Sequence, residues 1–223
     1  MNKVKIFTDS TADLAEQQLE ALNISVVPLY VIIGGKSYRD GIELTTEELY
    51  KKVDELQTLP KTSAPSIEDF ITAFKLWVEE GYDVIFIGIS SGISSTDQSA
   101  TMAANELGPD RVFVIDSLNL STGIGLLAAK AAEMALDGKG AMEIVETITA
   151  DVAKVHTSFF IDTLKYLHMG GRCTSLQFIA SSVLKIKPRI IVRDGGMIVG
   201  EKYRGKDKKI LDSFYSDQVG DGS

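Results

Sequence analysis

Short apolar runs alternate along this chain with stretches whose apolar residues recur every three or four positions, the signatures of buried strands and of helices packed on one face. Lys3 to Thr8 reads as a strand, Asp13 to Leu22 as a helix, and Ile24 to Ile33 as a strand closed by a turn at Gly34-Gly35. Thr45-x-x-Glu48 is a capping box before a helix that puts Leu49, Val53 and Leu56 on one face. Ser66-x-x-Asp69 is a weaker version of that box. It precedes Phe70, Ile71, Phe74, Trp77 and Val78, with Gly81 as the stop. The pattern continues with a strand from Val84 to Ile89 and a helix from about Ser95 to Leu107, ended by Gly108-Pro109. A strand from Arg111 to Ile115, helices at Leu120 to Leu136 and Ala141 to Val155, and a strand from Thr157 to Ile161 complete the run. This alternation predicts an α/β layer with a mainly parallel sheet and flanking helices.

After Gly170-Gly171 the character changes. A short helix near Ser175 to Leu184 leads into Pro188 to Val192, the turn Asp194-Gly195-Gly196, and Met197 to Val199. Two apolar runs around such a turn predict a hairpin, so this part is α+β. The expected organisation is two-lobed, with an α/β lobe over 1–160 and a smaller α+β lobe over 161–223. The helix at 66–80 is a candidate to pack with the second lobe. SDQVGDGS, at the end, reads as a polar tail with no packing signal.

Each strand of the first half ends in small polar residues: Asp9-Ser10-Thr11, Ser90-Ser91, Asp116-Ser117 and Asp162-Thr163. In a parallel sheet these ends share one edge, beyond which ligands bind. Singly, each pair reads as a helix cap. Five of the seven residues from Ser90 to Thr96 (SSGISST) carry a hydroxyl. Placed between a strand and a helix start, such a loop suits an anion, because the helix brings unpaired N–H groups and partial positive charge.

Gly88-Ile89-Ser90-Ser91-Gly92 matches the G-x-S-x-G nucleophile elbow of serine hydrolases. In that reading Ser90 attacks, and Asp116 orients His156 or His168. Against it, an elbow passes straight into its helix, whereas this loop runs on through Ile93, Ser94 and Ser95. Gly123-x-Gly125-x-x-Ala128 is a loose dinucleotide match inside an alanine-rich helix and reads better as close helix packing. Gly34-Gly35-Lys36-Ser37 lacks the first glycine of a P-loop. No nucleotide, metal or other cofactor site emerges, and no catalytic residue beyond the Ser90 alternative.

Bulk properties narrow the function further. The 223 residues carry a formal charge of −8, which argues against nucleic-acid binding and general adhesion to an anionic membrane. The charge is uneven: Lys185 to Lys209 holds nine Lys or Arg against three acids. That segment reads as a solvated hairpin first and as a docking patch second, and an adaptor module using it on an acidic protein is a further rival. The single Cys173 points to a reducing compartment, and with His156 and His168 it forms no zinc spacing. Met1 leads straight into KVKIFTD and the longest apolar stretch is eight residues, so neither a signal peptide nor a membrane span is expected. A cytoplasmic location follows as the expectation.

Several motifs in one order carry a resemblance. TDSTADL (Thr8 to Leu14), TSAPS (Thr62 to Ser66), SSGISST with Gln98-Ser99-Ala100, VIDSLNLSTGIG (Val114 to Gly125), DTLKYLHMGGR (Asp162 to Arg172) and KYRGKDKKI (Lys202 to Ile210) together resemble the DegV family of bacterial lipid-binding proteins. The resemblance implies a long-chain fatty acid held between two lobes, with Thr62 and Ser94 at its carboxylate. It implies a carrier without its own nucleotide site, which presents the carboxylate to a separate kinase subunit for acyl-phosphate formation. Transient membrane contact fits that role. Arg172 and Arg204 match surface arginines implicated in the encounter with the kinase. The family also uses a histidine nearer its C-terminus, and this chain ends at Ser223 before that region. The expectation is therefore a C-terminally truncated second lobe.

Overall fold

The computed structural model describes residues 2–162, 164, 167, 170–172, 186–205 and 207–219. They divide into two compact units, Met1–Thr157 with Asp194–Gly196, and Ser158–Arg193 with Met197–Ser223. The helix expected at Ser175 to Leu184, together with Thr163, His168 and Cys173, lies outside the described residues.

The first unit is built on a four-stranded sheet. Its strands are β1 (Val4–Asp9), β2 (Ile24–Val27), β6 (Asp83–Gly88) and β7 (Val112–Asp116), in the order β2-β1-β6-β7. All three pairings are parallel, as the alternation predicts. The strands are apolar on both faces because helices cover both. Ile6, Ile24, Ile85, Ile87 and Ile115 point to α5 (Thr122–Leu136) and α6 (Ala141–Val152), with α1 (Glu16–Ala21) adding Leu19. Their neighbours one position along, Phe7, Val84, Phe86 and Val112, point to α3 (Ile67–Glu79) and α4 (Thr96–Leu107). This period of two delivers each strand's residues to two separate cores.

Aromatic packing dominates the second of these cores. Phe70, Phe74 and Phe86 are fully buried, with Phe7 against Phe74 and Phe70 against Phe86 edge-to-face at 5.0 Å each. Lys5 enters the same layer. Its Nζ donates to Asn23 O and Oδ1 at 2.6 and 2.7 Å and lies 4.6 Å from the Trp77 ring centre, and burial lowers its pKa.

The stretch Ile24 to Ile33 is two strands rather than one. Pro28 lacks an N–H for a sheet ladder, and the chain leaves the parallel sheet there. It forms β3 (Tyr30–Ile33), which pairs antiparallel with β4 (Lys36–Arg39) and with β5 (Lys61–Ser63). Gly34 and Gly35, at φ 59° and 75°, close the two-residue turn in the left-handed region that a primed hairpin turn demands. The capping box at Thr45 and Glu48 opens α2 (Thr46–Leu56), and that at Ser66 and Asp69 opens α3. Tyr30 Oη donates to Asp69 Oδ1 at 3.0 Å and ties β3 to the start of α3.

In the second unit, β8 (Ser158–Phe160), β9 (Ile186–Arg193) and β10 (Gly196–Arg204) form a sheet in the order β10-β9-β8. The expected hairpin is present, turned by Asp194 and Gly195 at φ 50° and 72°. Phe160 meets Tyr203 and Phe214 edge-to-face, and the Arg189 guanidinium sits 4.8 Å from the Phe214 ring. Two expectations are corrected. Residues 216–219, the first half of the stretch read as a polar tail, continue the helix α7 (Asp207–Val219), whose Ile210 is buried. And β8 pairs antiparallel with β9, so Asp162 does not belong to the edge of the parallel sheet; it forms an ion pair with Lys187 at 2.7 Å instead. Among the described residues no helix is long and apolar enough to cross a membrane.

Because Phe74 of α3 is sealed against Phe7 of β1 and Phe86 of β6, Phe74→Ala should cost about 3–5 kcal/mol of stability. The expected result is a lower urea midpoint with little change in the denaturant slope.

Candidate functional site

Three strands of the parallel sheet end on one edge, and there the chain's small polar residues bind each other. At the end of β1, Thr8 Oγ1 donates to Ile87 O at 2.8 Å. Asp9 Oδ2 accepts from Ile89 N at 2.7 Å, and Oδ1 accepts from both the N–H and the hydroxyl of Thr11. Ser10 Oγ accepts from Leu29 N at 3.1 Å, where the chain leaves β2. The cap reading is therefore right for Asp9, which caps the 3-10 turn Ser10–Ala12, but the same side chain also braces β1 to the exit of β6.

The loop after β6 is folded by its own hydrogen bonds. Ser90 N donates to Asn119 O at 2.9 Å, and Ser91 N donates to the Asp116 carboxylate at 3.2 Å. Ile93 N and Ser94 N both donate to Ser90 O, at 2.9 and 3.0 Å. Ser94 Oγ lies 2.8 Å from Thr96 Oγ1 and accepts from Thr96 N at 3.3 Å. The first helical N–H of α4 is thus taken by Ser94, which leaves those of Asp97 and Gln98 as the next without an intrahelical partner. Thr96 is fully buried and Ser94 half-buried. When Thr96 donates from both its groups, Ser94 has accepted twice and its own proton remains to be given outward. An anion is the acceptor such a hydroxyl suits.

The electrostatics are less simply positive than the sequence suggests. Burial raises the Asp97 carboxyl pKa, and the charge of Asp116 raises it further. Asp97 stands in the first turn of α4, where it offsets the positive end of the helix. The donors at this edge are neutral hydroxyls and amides.

Thr62 is exposed, in the middle of β5, opposite Val31. Because α3 follows β5 and runs back along the sheet to β6, both β5 and the α3 start lie at the carboxyl edge, the edge that carries Ser94. Arg172 and Arg204 are exposed, both in the second unit. Arg172 donates to Gly170 O at 2.7 Å, and Arg204 ends β10 far from the hairpin turn.

The nucleophile reading of Ser90 fails on geometry. Ser90 is fully buried and its Oγ donates to Gly195 O at 2.7 Å. Asp116 accepts backbone N–H groups from Ser91 and Leu118, and His156 is exposed. Gly125 serves close packing as expected: it lets α5 approach the Ser10–Ala12 turn, since a Cβ there would lie 2.8 Å from Ala12 O. Sequence reasoning gave no contact role to Thr96, Asn119 or Gly195. Thr96 stood in view within the hydroxyl string and Gly195 within the predicted turn, but nothing local marks Asn119 or Gly195 as partners of Ser90. Among the described residues there is no cluster of three or more His, Cys, Asp or Glu that could hold a metal.

A family model described as "Uncharacterised protein, DegV family" matches residues 3–218. This chain belongs to the DegV family. A DegV domain-containing protein of Listeria innocua is 40% identical over 213 residues, which are 93% of this chain and 74% of that protein. Among solved structures, one described as fatty acid binding of a DegV family protein from Thermus thermophilus superposes with a TM-score of 0.86 at 34% identity, covering 99% of this chain and 79% of that one. A stearic acid-binding protein from Eubacterium ventriosum superposes at 0.84 with 31% identity, over 100% of this chain and 79% of that one. The two-unit DegV architecture accordingly accounts for nearly the whole chain.

Burial, the largest influence on Asp9, raises its carboxyl pKa, and the Asp13 charge adds to the rise, while the bonds from Thr11 and Ile89 pull the other way. A folded pKa above the unfolded value gives a stability contribution that is full below the unfolded pKa and is lost as pH rises through the folded one. The stability advantage of the wild type over Asp9→Asn should therefore shrink as pH rises from about 4. Paired urea titrations across pH measure it, and an advantage that widens with pH would contradict the assignment.

Proposed function

We propose that this protein is a carrier that binds a long-chain fatty acid and holds its carboxylate with Ser94 and Thr62. It presents that carboxylate to a separate kinase subunit, which makes the acyl phosphate. The observation that carries the reading is the half-buried Ser94 hydroxyl, held by Thr96 beside the start of α4, and the fatty-acid-binding descriptions of similar solved structures support a carboxylate as its anion. Thr62, exposed on the neighbouring small sheet, is the second hydroxyl of that headgroup site. The carrier works in the cytoplasm, without a nucleotide or metal site of its own, and meets membranes only in passing.

The energetics favour carriage over tight headgroup recognition. Burying about fourteen methylenes is worth up to ~11 kcal/mol gross at ~0.8 kcal/mol each, before ordering costs. A hydrogen bond to a charged group contributes about 1.5–3 kcal/mol. The tail therefore supplies most of the affinity, while the hydroxyls fix which atoms face outward. A carboxylate gripped by neutral donors stays a competent nucleophile for a phosphoryl donor.

Native mass spectrometry of freshly purified protein should show a bound C14–C18 acid. Ser94→Ala combined with Thr62→Ala, which removes two such bonds, should weaken binding by about a hundredfold or more. Unchanged affinity in the double variant removes these residues from the headgroup.

The partner surface is assigned to Arg172 and Arg204, both exposed on the second unit. Arg172→Glu and Arg204→Glu should lower the rate of acyl-phosphate formation by the kinase subunit while leaving fatty-acid affinity intact. Equal turnover by wild type and variants would place the docking elsewhere.

A further inference from the structure

The buried Ser90 has no part in the headgroup contacts above, yet it has the most completely used hydroxyl on the edge. Its proton goes to Gly195 O at 2.7 Å, and its oxygen accepts the Gly92 N–H at 3.1 Å. Gly195 lies 105 positions away, in the turn that joins β9 to β10, and that turn belongs to the first unit. The approach is close enough to exclude side chains. A Cβ on Gly92 would stand 2.6 Å from Gly195 O, and one on Gly195 would stand 2.7 Å from Ser90 Oγ and 3.1 Å from Leu118. Gly195 also has φ 72°, which disfavours any other residue there.

The same serine anchors the loop that carries the ligand serine. Ser90 O accepts the N–H groups of Ile93 and Ser94, so the turn from 90 to 94 is a closed unit with Ser90 at its root. Ser90 N is held in turn by Asn119 O. With its amide, carbonyl and hydroxyl all engaged, Ser90 is held from three sides, and Ser94 follows it by a single closed turn.

We infer that Ser90 is a positioning residue for the headgroup site: its hydroxyl clasps the Asp194–Gly196 turn, and the clasp holds the 90–94 turn in the conformation that aims Ser94 at an anionic headgroup. The inference rests on the fatty-acid reading and extends it to headgroup selectivity. Releasing the clasp leaves the apolar contacts of the tail in place and misdirects the donor. The loss therefore falls on the preference for an acid over an alcohol of equal chain length, rather than on lipid affinity as a whole.

The test measures affinities of the full chain for hexadecanoic acid and hexadecan-1-ol, by displacement of a fluorescent fatty-acid probe. Ser90→Ala, Gly195→Ala and the double variant are compared with the wild type. Ser90→Ala should reduce the acid-to-alcohol preference about five- to tenfold with the alcohol affinity unchanged. Gly195→Ala, which displaces the same contact from the other side, should do likewise, and the double variant should be no worse than either single one. Should Ser90→Ala prove poorly folded by circular dichroism, Gly195→Ala carries the test. An unaltered preference in the singles, equal losses for acid and alcohol, or losses that multiply in the double variant would each overturn the clasp. A wild type that binds no acid would instead sink the fatty-acid reading itself, so the two failures are distinguishable.

Discussion

Asp9 ends the β1 strand with its carboxylate out of water, one oxygen on the Ile89 N–H and the other on two donors of Thr11. A buried carboxylate costs several kcal/mol to desolvate and is tolerated only when its lone pairs are satisfied. That requirement makes the geometry strict. Ile89 must leave β6 with its N–H pointing back at β1, and the residue after it is Ser90, the root of the hydroxyl loop. The placement of the loop thus follows from satisfying one charge at the last residue of a strand. Ser10 and Thr8 add neutral bonds to the same brace, to Leu29 and Ile87. The carboxyl edge is rigid because side chains, in place of strand ladders, complete its hydrogen bonds.

A rigid edge need not be a positively charged one. Asp97 and Asp116 stand beside the loop, and their mutual repulsion contributes to the raised Asp97 pKa. An enzyme stabilising a developing negative charge would be expected to surround it with preorganised donors and cations. A carrier has a different requirement: it must leave the headgroup reactive and release the product. In the proposed site, neutral donors from Ser94 and Thr62 would hold a carboxylate without strongly quenching its charge. The apolar tail would then set residence, and the acidic neighbours would limit how tightly the head is held.

The parts of the fold legible in the sequence are those governed by periodicity. β1, β6 and β7 alternate their side chains between two cores, and α3 announces itself by a capping box followed by Phe70, Phe74 and Trp77. What escaped reading depends on partners, which periodicity does not encode. The strand β5 is Lys-Thr-Ser, exposed throughout, and is a strand only because β3 lies beside it. The run at β8 carried the right residues, but its partner is antiparallel β9, so Asp162 left the edge to which its chemistry seemed to assign it. Asp9 and Ser66 were readable as caps because capping is local. Gly195 was not readable as a contact of Ser90, because no sequence signal spans that separation.

Ser90 and Ser94 show how one short string yields opposite roles. In G-x-S-x-G the serine at Ser90 has the position of a nucleophile, yet a nucleophile must hand its proton to a base. Here that proton is committed to a carbonyl, and the oxygen accepts an amide from its own loop. Four residues on, Ser94 accepts the Thr96 N–H and shares a hydroxyl–hydroxyl bond with Thr96 Oγ1; when Thr96 donates in it, Ser94 keeps its proton for whatever lies outside. The difference comes from which neighbour donates, and neighbours are fixed by the loop's closure onto Ser90 O. The hydroxyl made inert by its contacts is therefore the one that gives the exposed hydroxyl its direction.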